Sequence, residues 1–134
     1  MRTLVILVFC TILFFAACTW HAAEFSVDPV ITDPKEVNMK LTPSSPTVLD
    51  DISLVVYDDC NYNTLVGVTR SGKTINIVKQ FNSMMKWPCI MKNDTIEIGK
   101  LTIGTYVLNY KLIDIAQSIP KIDRSYYFNL IVTP

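Results

Sequence analysis

The sequence predicts an all-β fold, an immunoglobulin-like antiparallel β-sandwich of seven to eight strands with Greek-key connections. Three observations lead to this prediction. Polar and apolar residues alternate with a period of two through most of the chain after residue 23, which is typical of strands with one buried face. Turn residues interrupt these runs at intervals of about ten residues, as in a sandwich. No segment shows the apolar period of an amphipathic helix.

The predicted strands and their connections can be placed along the chain from these runs. The alternation predicts strands at residues 25–31, 37–41, 52–57, 65–69, 74–78, 95–98, 106–113 and 126–133. Turn-forming residues predict connections at 43–46, 58–63, 93–94 and 117–124. The Ser71-Gly72 step between two of the strands is typical of a β-hairpin. Residues 80–92 have no regular period, and we expect a long loop or an irregular strand there.

The first 23 residues have the layout of a secretory signal peptide. Arg2 supplies the positive charge, residues 4–17 form the apolar stretch, and small residues follow it, which is the order of such leaders. The apolar stretch is shorter than the roughly 20 residues that a spanning helix needs, although a retained membrane anchor is the alternative. The predicted organisation is therefore a signal peptide at 1–23 and one sandwich domain at 24–134.

Two cleavage sites compete in this leader. The segment Phe15-Ala16-Ala17-Cys18 resembles a bacterial lipobox, in which Cys18 becomes the lipidated first residue, although Phe15 replaces the usual leucine. Cleavage after Ala23 is the other possibility. Both predict a secreted or cell-envelope location, and the only membrane contact expected is a lipid anchor at Cys18.

Charge and histidine content exclude several classes of function. The chain has 12 basic and 12 acidic residues, and removal of the leader leaves one more acidic than basic residue. This balance excludes a basic nucleic-acid-binding surface and an acidic disordered tail. The single histidine, His21, lies in the leader, so the common Ser-His and Cys-His nucleophiles are excluded from the domain. We expect no enzyme and no cofactor.

The domain retains two cysteines, Cys60 and Cys89. An even pair in an exported chain favours one disulfide. A zinc site needs four ligands, and a catalytic thiol needs a basic partner such as histidine, so both alternatives are disfavoured.

Paired aspartates precede and follow the predicted strand at 52–57. Asp50-Asp51 and Asp58-Asp59 could together bind calcium, but the spacing of a calcium-binding loop is missing. Aspartate is common in turns, so turn roles are favoured for both pairs, and no metal site is predicted.

The segment 101–106 reads L-x-x-G-x-Y before the longest predicted strand. This spacing resembles the tyrosine corner of Greek-key sandwiches, in which a tyrosine hydroxyl bonds back to the preceding backbone. Leu101 would anchor a sheet end, Gly104 would permit the tight arch, and Tyr106 would bury its ring while its hydroxyl is satisfied.

The wider segment from Asp94 to Asp114 resembles small exported proteins of Bacteroidetes-type bacteria, which share an I-G-x-L-x-x-G-T-Y-x-L-x-Y pattern. In that group the upstream half often carries a cysteine pair placed like Cys60 and Cys89. The resemblance covers residues from about 50 to the end. It implies an exported sandwich and no particular activity.

The segment 84–91 is the best candidate for a contact surface. Met84, Met85, Trp87 and Met91 lie in or beside the predicted long loop, and methionine and tryptophan are common at adaptable interfaces. Trp87 could equally be the core tryptophan of the sandwich, packed on the disulfide.

The function predicted from the sequence is non-catalytic binding of an unknown protein or carbohydrate. A structural component of the cell envelope is the first alternative. A secreted protease inhibitor is a second, although the glycine-rich wedge and N-P-T-T-G loop of known Ig-like inhibitors are missing. A hydrolase that uses carboxylates alone is a third.

Overall fold

The structure, a computed structural model, describes residues 29–134. The predicted signal peptide, both candidate cleavage sites, the candidate lipidation site Cys18 and most of the first predicted strand lie outside the described residues.

Seven strands follow a short 3-10 helix at Pro34–Val37, and they form two sheets. The three-stranded sheet has the order β1-β2-β5, and the four-stranded sheet has the order β3-β4-β6-β7. The all-β prediction is therefore confirmed, in a sandwich-like arrangement. The strands are β1 Met39–Thr42, β2 Ile52–Cys60, β3 Thr64–Ser71, β4 Thr74–Phe81, β5 Met91–Gly99, β6 Gly104–Asp114 and β7 Lys121–Val132.

The prediction of a wholly antiparallel sandwich is wrong at one pairing, because β4 runs parallel to β6. The predicted β3–β4 hairpin is present, but β4 is the strand that lies inside the sheet. Its residues Ile75 and Ile77 are fully buried, whereas β3 is largely exposed and lies at the edge. The chain leaves β4 for the other sheet, returns along β5, and enters β6 in the direction of β4.

One hydrophobic core lies between the sheets. Alternate residues of β4 and β6 point inward, as the period-two pattern predicts, and Tyr106 and Leu108 of β6 have no exposed surface. The core draws on both sheets and is completed by Leu101, which precedes β6. Its members are Met39, Ile52, Leu54, Val56, Ile75, Ile77, Ile96, Leu101, Tyr106, Leu108, Tyr110, Leu112, Phe128, Leu130 and Val132.

Several element boundaries differ from the predicted ones. The predicted turn at 58–63 begins inside β2, which continues to Cys60 through a register shift between Val56 and Asp59. Asp58 has a positive φ of 52° there. This irregularity is a bulge, which inserts one residue and reverses which face the following residues occupy. The predicted turn at 93–94 lies inside β5, and Ile31 makes only an isolated bridge to Tyr127.

Candidate functional site

Residues 82–91, which comprise the loop between β4 and β5 and the first residue of β5, are called the methionine loop. It lies at the end of the molecule where β4 and β6 finish, since Phe81 is paired with Asp114, the last residue of β6. Three of the candidate contact residues fall within its irregular part, and Met91 begins β5.

The methionine loop exposes its apolar side chains to solvent. The exposed fractions are 74% for Met84, 51% for Met85, 61% for Trp87 and 65% for Met91. Trp87 is therefore not the core tryptophan of the sandwich. Adjacent Ile90 is 63% exposed, so the loop presents a cluster of exposed, mostly apolar residues interrupted by Lys86, and such clusters in soluble proteins often mark a contact surface.

A small groove lies beneath the loop. Its volume is about 190 Å³, below the roughly 300–1,000 Å³ of typical small-molecule pockets. Trp87 and Met85 form one wall, and Phe81 lies at the end of β4. The remaining lining residues are Tyr62, Thr64, Gln80, Asn82 and Ile115. The groove can accept a single side chain more readily than a whole ligand.

The disulfide between Cys60 and Cys89 fixes the loop to the end of β2, which confirms the predicted pairing. Two hydrogen bonds between Asn61 and Ile90 reinforce it. The Asn61 amide donates to the Ile90 carbonyl at 3.0 Å, and the Ile90 amide donates to Asn61 Oδ1 at 3.1 Å. The exposed apolar side chains are therefore carried on a backbone held at its C-terminal end.

Asp114 holds the other end of the loop. Its Oδ1 accepts hydrogen bonds from the Ser83 amide at 3.1 Å and the Ala116 amide at 2.9 Å. Its Oδ2 accepts a 2.5 Å hydrogen bond from the Ser83 hydroxyl. These bonds, first of all the one from the Ser83 hydroxyl, lower the pKa of the Asp114 carboxyl, because they favour its charged form.

The hydrogen bonds that the Asp114 carboxylate accepts from Ser83 and Ala116 should weaken in acid. The folded pKa of Asp114 lies below its ordinary value of 3.8, so its stabilising effect is complete above that value and is lost as the pH falls through the folded pKa. We expect the fluorescence anisotropy of Trp87 to fall in this acidic range while the far-ultraviolet circular dichroism of the strands is retained.

The matched control for this acid transition is an exposed aspartate on β7. Asp114→Asn should loosen the loop already at neutral pH and abolish the acid transition. Asp123→Asn, which removes the charge of an exposed carboxylate 3.1 Å from Arg124 Nε, should leave it unchanged. If Asp114→Asn showed the same acid transition as the unaltered protein, Asp114 would not be the group that holds this end of the loop.

A second cluster, which we call the buried lysine cluster, consists of Lys79, Asp59, Asp94 and Asn63. The Lys79 side chain is fully buried. Its Nζ contacts Asp59 Oδ2 and lies 2.5 Å from Asp94 Oδ2. The Asp59 side chain is 7% exposed and that of Asp94 is 27% exposed. Asn63 Nδ2 donates to Asp59 Oδ1 at 2.6 Å. Both oxygens of the Asp59 carboxyl are thus engaged.

The strand pattern explains how these residues meet. Lys79 continues the inward series of Ile75 and Ile77 on β4. On β2 the bulge at Asp58 turns Asp59 toward the core instead of into the predicted turn. The turn role predicted for Asp59 is therefore wrong. A lysine in phase with buried isoleucines was the sequence signal for this cluster.

Tyr110 borders the buried lysine cluster. Its side chain is 2% exposed on β6, and its ring stacks on Tyr126 with centroids 6.2 Å apart. Burial, followed by the nearby carboxylate of Asp59, raises the pKa of the Tyr110 hydroxyl, since both disfavour a phenolate. The two rings thus border the cluster on one side, beside a small cavity that Asp59 also lines.

Tyr106 occupies the opposite end of β6. Its buried hydroxyl donates to the Thr102 carbonyl at 2.9 Å and accepts from Arg70 Nη2 and Lys73 Nζ, both at 3.2 Å. The hydrogen bond with the Thr102 side chain, and then that from Lys73, lowers the pKa of Tyr106. Gly104 has a φ of 145°, a conformation that residues other than glycine rarely adopt. These contacts close the arch into β6.

Within residues 29–134, no three His, Cys, Asp or Glu side chains are grouped so that they could hold a metal ion. The same residues include no helix with the length and apolarity needed to cross a membrane.

No protein-family model matches the chain, and comparisons with curated proteins and with solved structures find no match. Function must therefore be inferred from the side chains themselves.

Proposed function

We propose that the protein is an exported, non-catalytic binding domain that contacts a partner protein through the methionine loop. The observation that carries this proposal is the exposure of Met84, Met85 and Trp87 on a loop tied down at Cys89. Burying such side chains in a partner gains about 25 cal/mol for each Å² of apolar surface removed from water.

The chemistry of the loop favours a protein surface over a sugar. Sugar hydroxyls need polar partners, and burying them unpaired is costly. Residues 84–91 carry one charged side chain, Lys86, amid exposed methionines, Trp87 and Ile90. Tryptophan is enriched among the residues that dominate protein interfaces, and methionine adapts its shape to an irregular partner surface.

The anchoring of the loop supports the same proposal. A contact surface that is already ordered loses less conformational entropy on binding. The Cys60–Cys89 disulfide and the Asp114 contacts with Ser83 hold the two ends of the loop, which reduces this cost. Apolar residues that served only as a spacer would not need such anchoring.

Export and the finer fold class belong to the same proposal. Disulfides persist in oxidising compartments outside the cytoplasm, which agrees with the leader at residues 1–23. The sheet orders and the arches between the sheets are compatible with an immunoglobulin-like Greek key in which β4, not β3, lies next to β6. Isolated parallel bridges of Ile31 to Tyr127 on β7 and of Thr47 to Thr133, just after β7, support this class.

The proposal can be tested by site-specific photo-crosslinking in the cells that produce the protein. A photoreactive residue replaces Trp87 in one variant and Ile103 in the matched control. Ile103 is also exposed, at 57%, but precedes the opposite end of β6, roughly 35 Å away for a strand of this length. We expect a discrete protein adduct from position 87 that position 103 does not give.

Three outcomes would contradict the proposal. One is an absence of protein adducts at position 87, and another is the same adducts at both positions. An adduct at position 87 that consists of polysaccharide would replace the protein partner with a carbohydrate and would also overturn the proposal.

A further inference from the structure

The buried lysine cluster holds more negative than positive charge if all three of its ionisable groups are charged. Lys79 has no exposed surface, and its amine contacts the carboxyls of Asp59 and Asp94. Burial of charged groups costs free energy that a single ion pair repays only with good geometry. Transfer of one proton from the lysine to a carboxyl leaves a neutral amine and a carboxylic acid, which are cheaper to bury.

We propose that the buried lysine cluster is a self-modification site, in which the Lys79 amine and the Asp59 carboxyl condense into an intramolecular amide. The Lys79 Nζ lone pair attacks Asp59 Cγ, and the new N–C bond gives a tetrahedral intermediate. The C–Oδ2 bond then breaks. Oδ2 leaves with two protons as water, and the nitrogen keeps one hydrogen. No oxidant, reductant or added reagent is needed.

Asp94 is placed to carry the proton between the two reacting groups. Its Oδ2 lies 2.5 Å from Lys79 Nζ, so it can take a proton from the attacking amine and return it to the departing Oδ2. Such a transfer by a positioned carboxyl is ordinary general acid–base chemistry. Asp94 ends the reaction as it began.

Asn63 is placed to stabilise the intermediate. It donates to Asp59 Oδ1 at 2.6 Å, and Oδ1 is the oxygen that becomes negative when the amine attacks and that remains as the amide carbonyl. A fixed donor aimed at a developing oxyanion lowers the barrier. This contact, together with the lower exposure of Asp59, favours Asp59 over Asp94 as the carboxyl that forms the bond.

The fold supplies the proximity that this reaction needs. Lys79 lies on β4 of one sheet, and Asp59 and Asp94 lie on β2 and β5 of the other. Holding two reactants in contact is equivalent to a very high effective concentration of one beside the other, and the low exposure of Lys79 and Asp59, 0% and 7%, limits the access of water. The product would link the two sheets covalently, beside the Cys60–Cys89 disulfide, in a reaction that each chain performs once.

Mass spectrometry of the mature, reduced protein tests the proposal directly. We expect a mass lower than that of the reduced sequence by one water molecule. Trypsin should release residues 41–70 joined to residues 74–86, with no cleavage after Lys79. Peptide mapping also separates this loss of water from one at a terminus. A full sequence mass with the two peptides released separately and cleavage after Lys79 would overturn the proposal.

Three variants assign the roles, each checked for native strand content by circular dichroism. Asp94→Asn should fold but accumulate the joined peptides much more slowly. Asp59→Asn should still react, losing ammonia in place of water, and reach the same final mass as the unaltered protein. Lys92→Met, which removes an exposed lysine on β5, should react fully. A folded Asp59→Asn with separate peptides, or an unslowed Asp94→Asn, would overturn the assignment.

Discussion

Replacing Lys79 with methionine should lower the free energy of unfolding by about 3–5 kcal/mol. The substitution keeps most of the side-chain volume on β4 but removes the Lys79 nitrogen, whether bonded to Asp59 or only in contact with it, and so leaves the Asp59 and Asp94 carboxyls in the core without their partner. An uncompensated buried charge costs far more than an exposed one. Urea unfolding, followed by circular dichroism of the strands, measures the difference.

A lysine on the neighbouring surface provides the control. Lys92→Met removes the same charge from an exposed position on β5 and should change stability by less than about 0.5 kcal/mol. If Lys79→Met also lost less than about 1 kcal/mol, which is the value of an exposed ion pair, the account of the buried lysine cluster would be wrong.

Loss of the disulfide should have a comparable effect. Cys60 and Cys89 are 29 positions apart, and cross-linking a loop of this size removes about 3.6 kcal/mol of chain entropy from the unfolded state. We expect the double variant Cys60→Ser, Cys89→Ser to melt more than about 10 °C below the unaltered protein. Differential scanning calorimetry measures the shift.

Chemical reduction gives an independent check on the same bond. The unaltered protein in reductant should melt at the temperature of the double variant, because both lack the cross-link. The methionine loop should then also lose its anchor at Cys89, which a higher mobility of Trp87 would report. Equal melting temperatures for the oxidised protein and the double variant would show that the disulfide contributes no stability.

The long alternating segments could be predicted from the sequence because their physics is local. Tyr106, Leu108, Tyr110 and Leu112 occupy one face of β6 and are buried, as a period of two requires. The β3–β4 hairpin could likewise be predicted, since its turn contains Gly72 with a φ of 58°. These elements depend on their neighbours only for which face becomes buried.

The features that were missed depend on contacts between distant parts of the chain. Nothing near β4 in sequence specifies that it pairs with β6 in parallel; the burial of Ile75 and Ile77 and the exposure of β3 decide it together. The sequence predicts a turn at Asp59 because a bulge cannot be recognised from the alternation, which ends before this residue. That bulge, and not the local sequence, turns Asp59 toward Lys79.

The sequence predicts which residues make up the candidate site, but it does not predict that their side chains are exposed. Methionine and tryptophan occur both in cores and at contact surfaces, so the sequence alone does not decide which of these two positions Trp87 occupies. Its 61% exposure follows from the disulfide at Cys89 and the Asp114 contacts, which hold the loop outside the sandwich. The pattern around Lys79 did contain a signal, because a lysine in phase with two core isoleucines is rare without a partner.

The central claim, that the methionine loop is a contact surface and not part of the core, is tested most directly by one comparison. A photoreactive residue at Met84 reports partner binding in proteins that also carry Trp87→Ala or Ile103→Ala. We expect Trp87→Ala to reduce the adduct about tenfold or more, as for a dominant interface residue, with an unchanged melting temperature. Ile103→Ala should retain the adduct. Undiminished adduct in Trp87→Ala, or its unfolding, would contradict the claim.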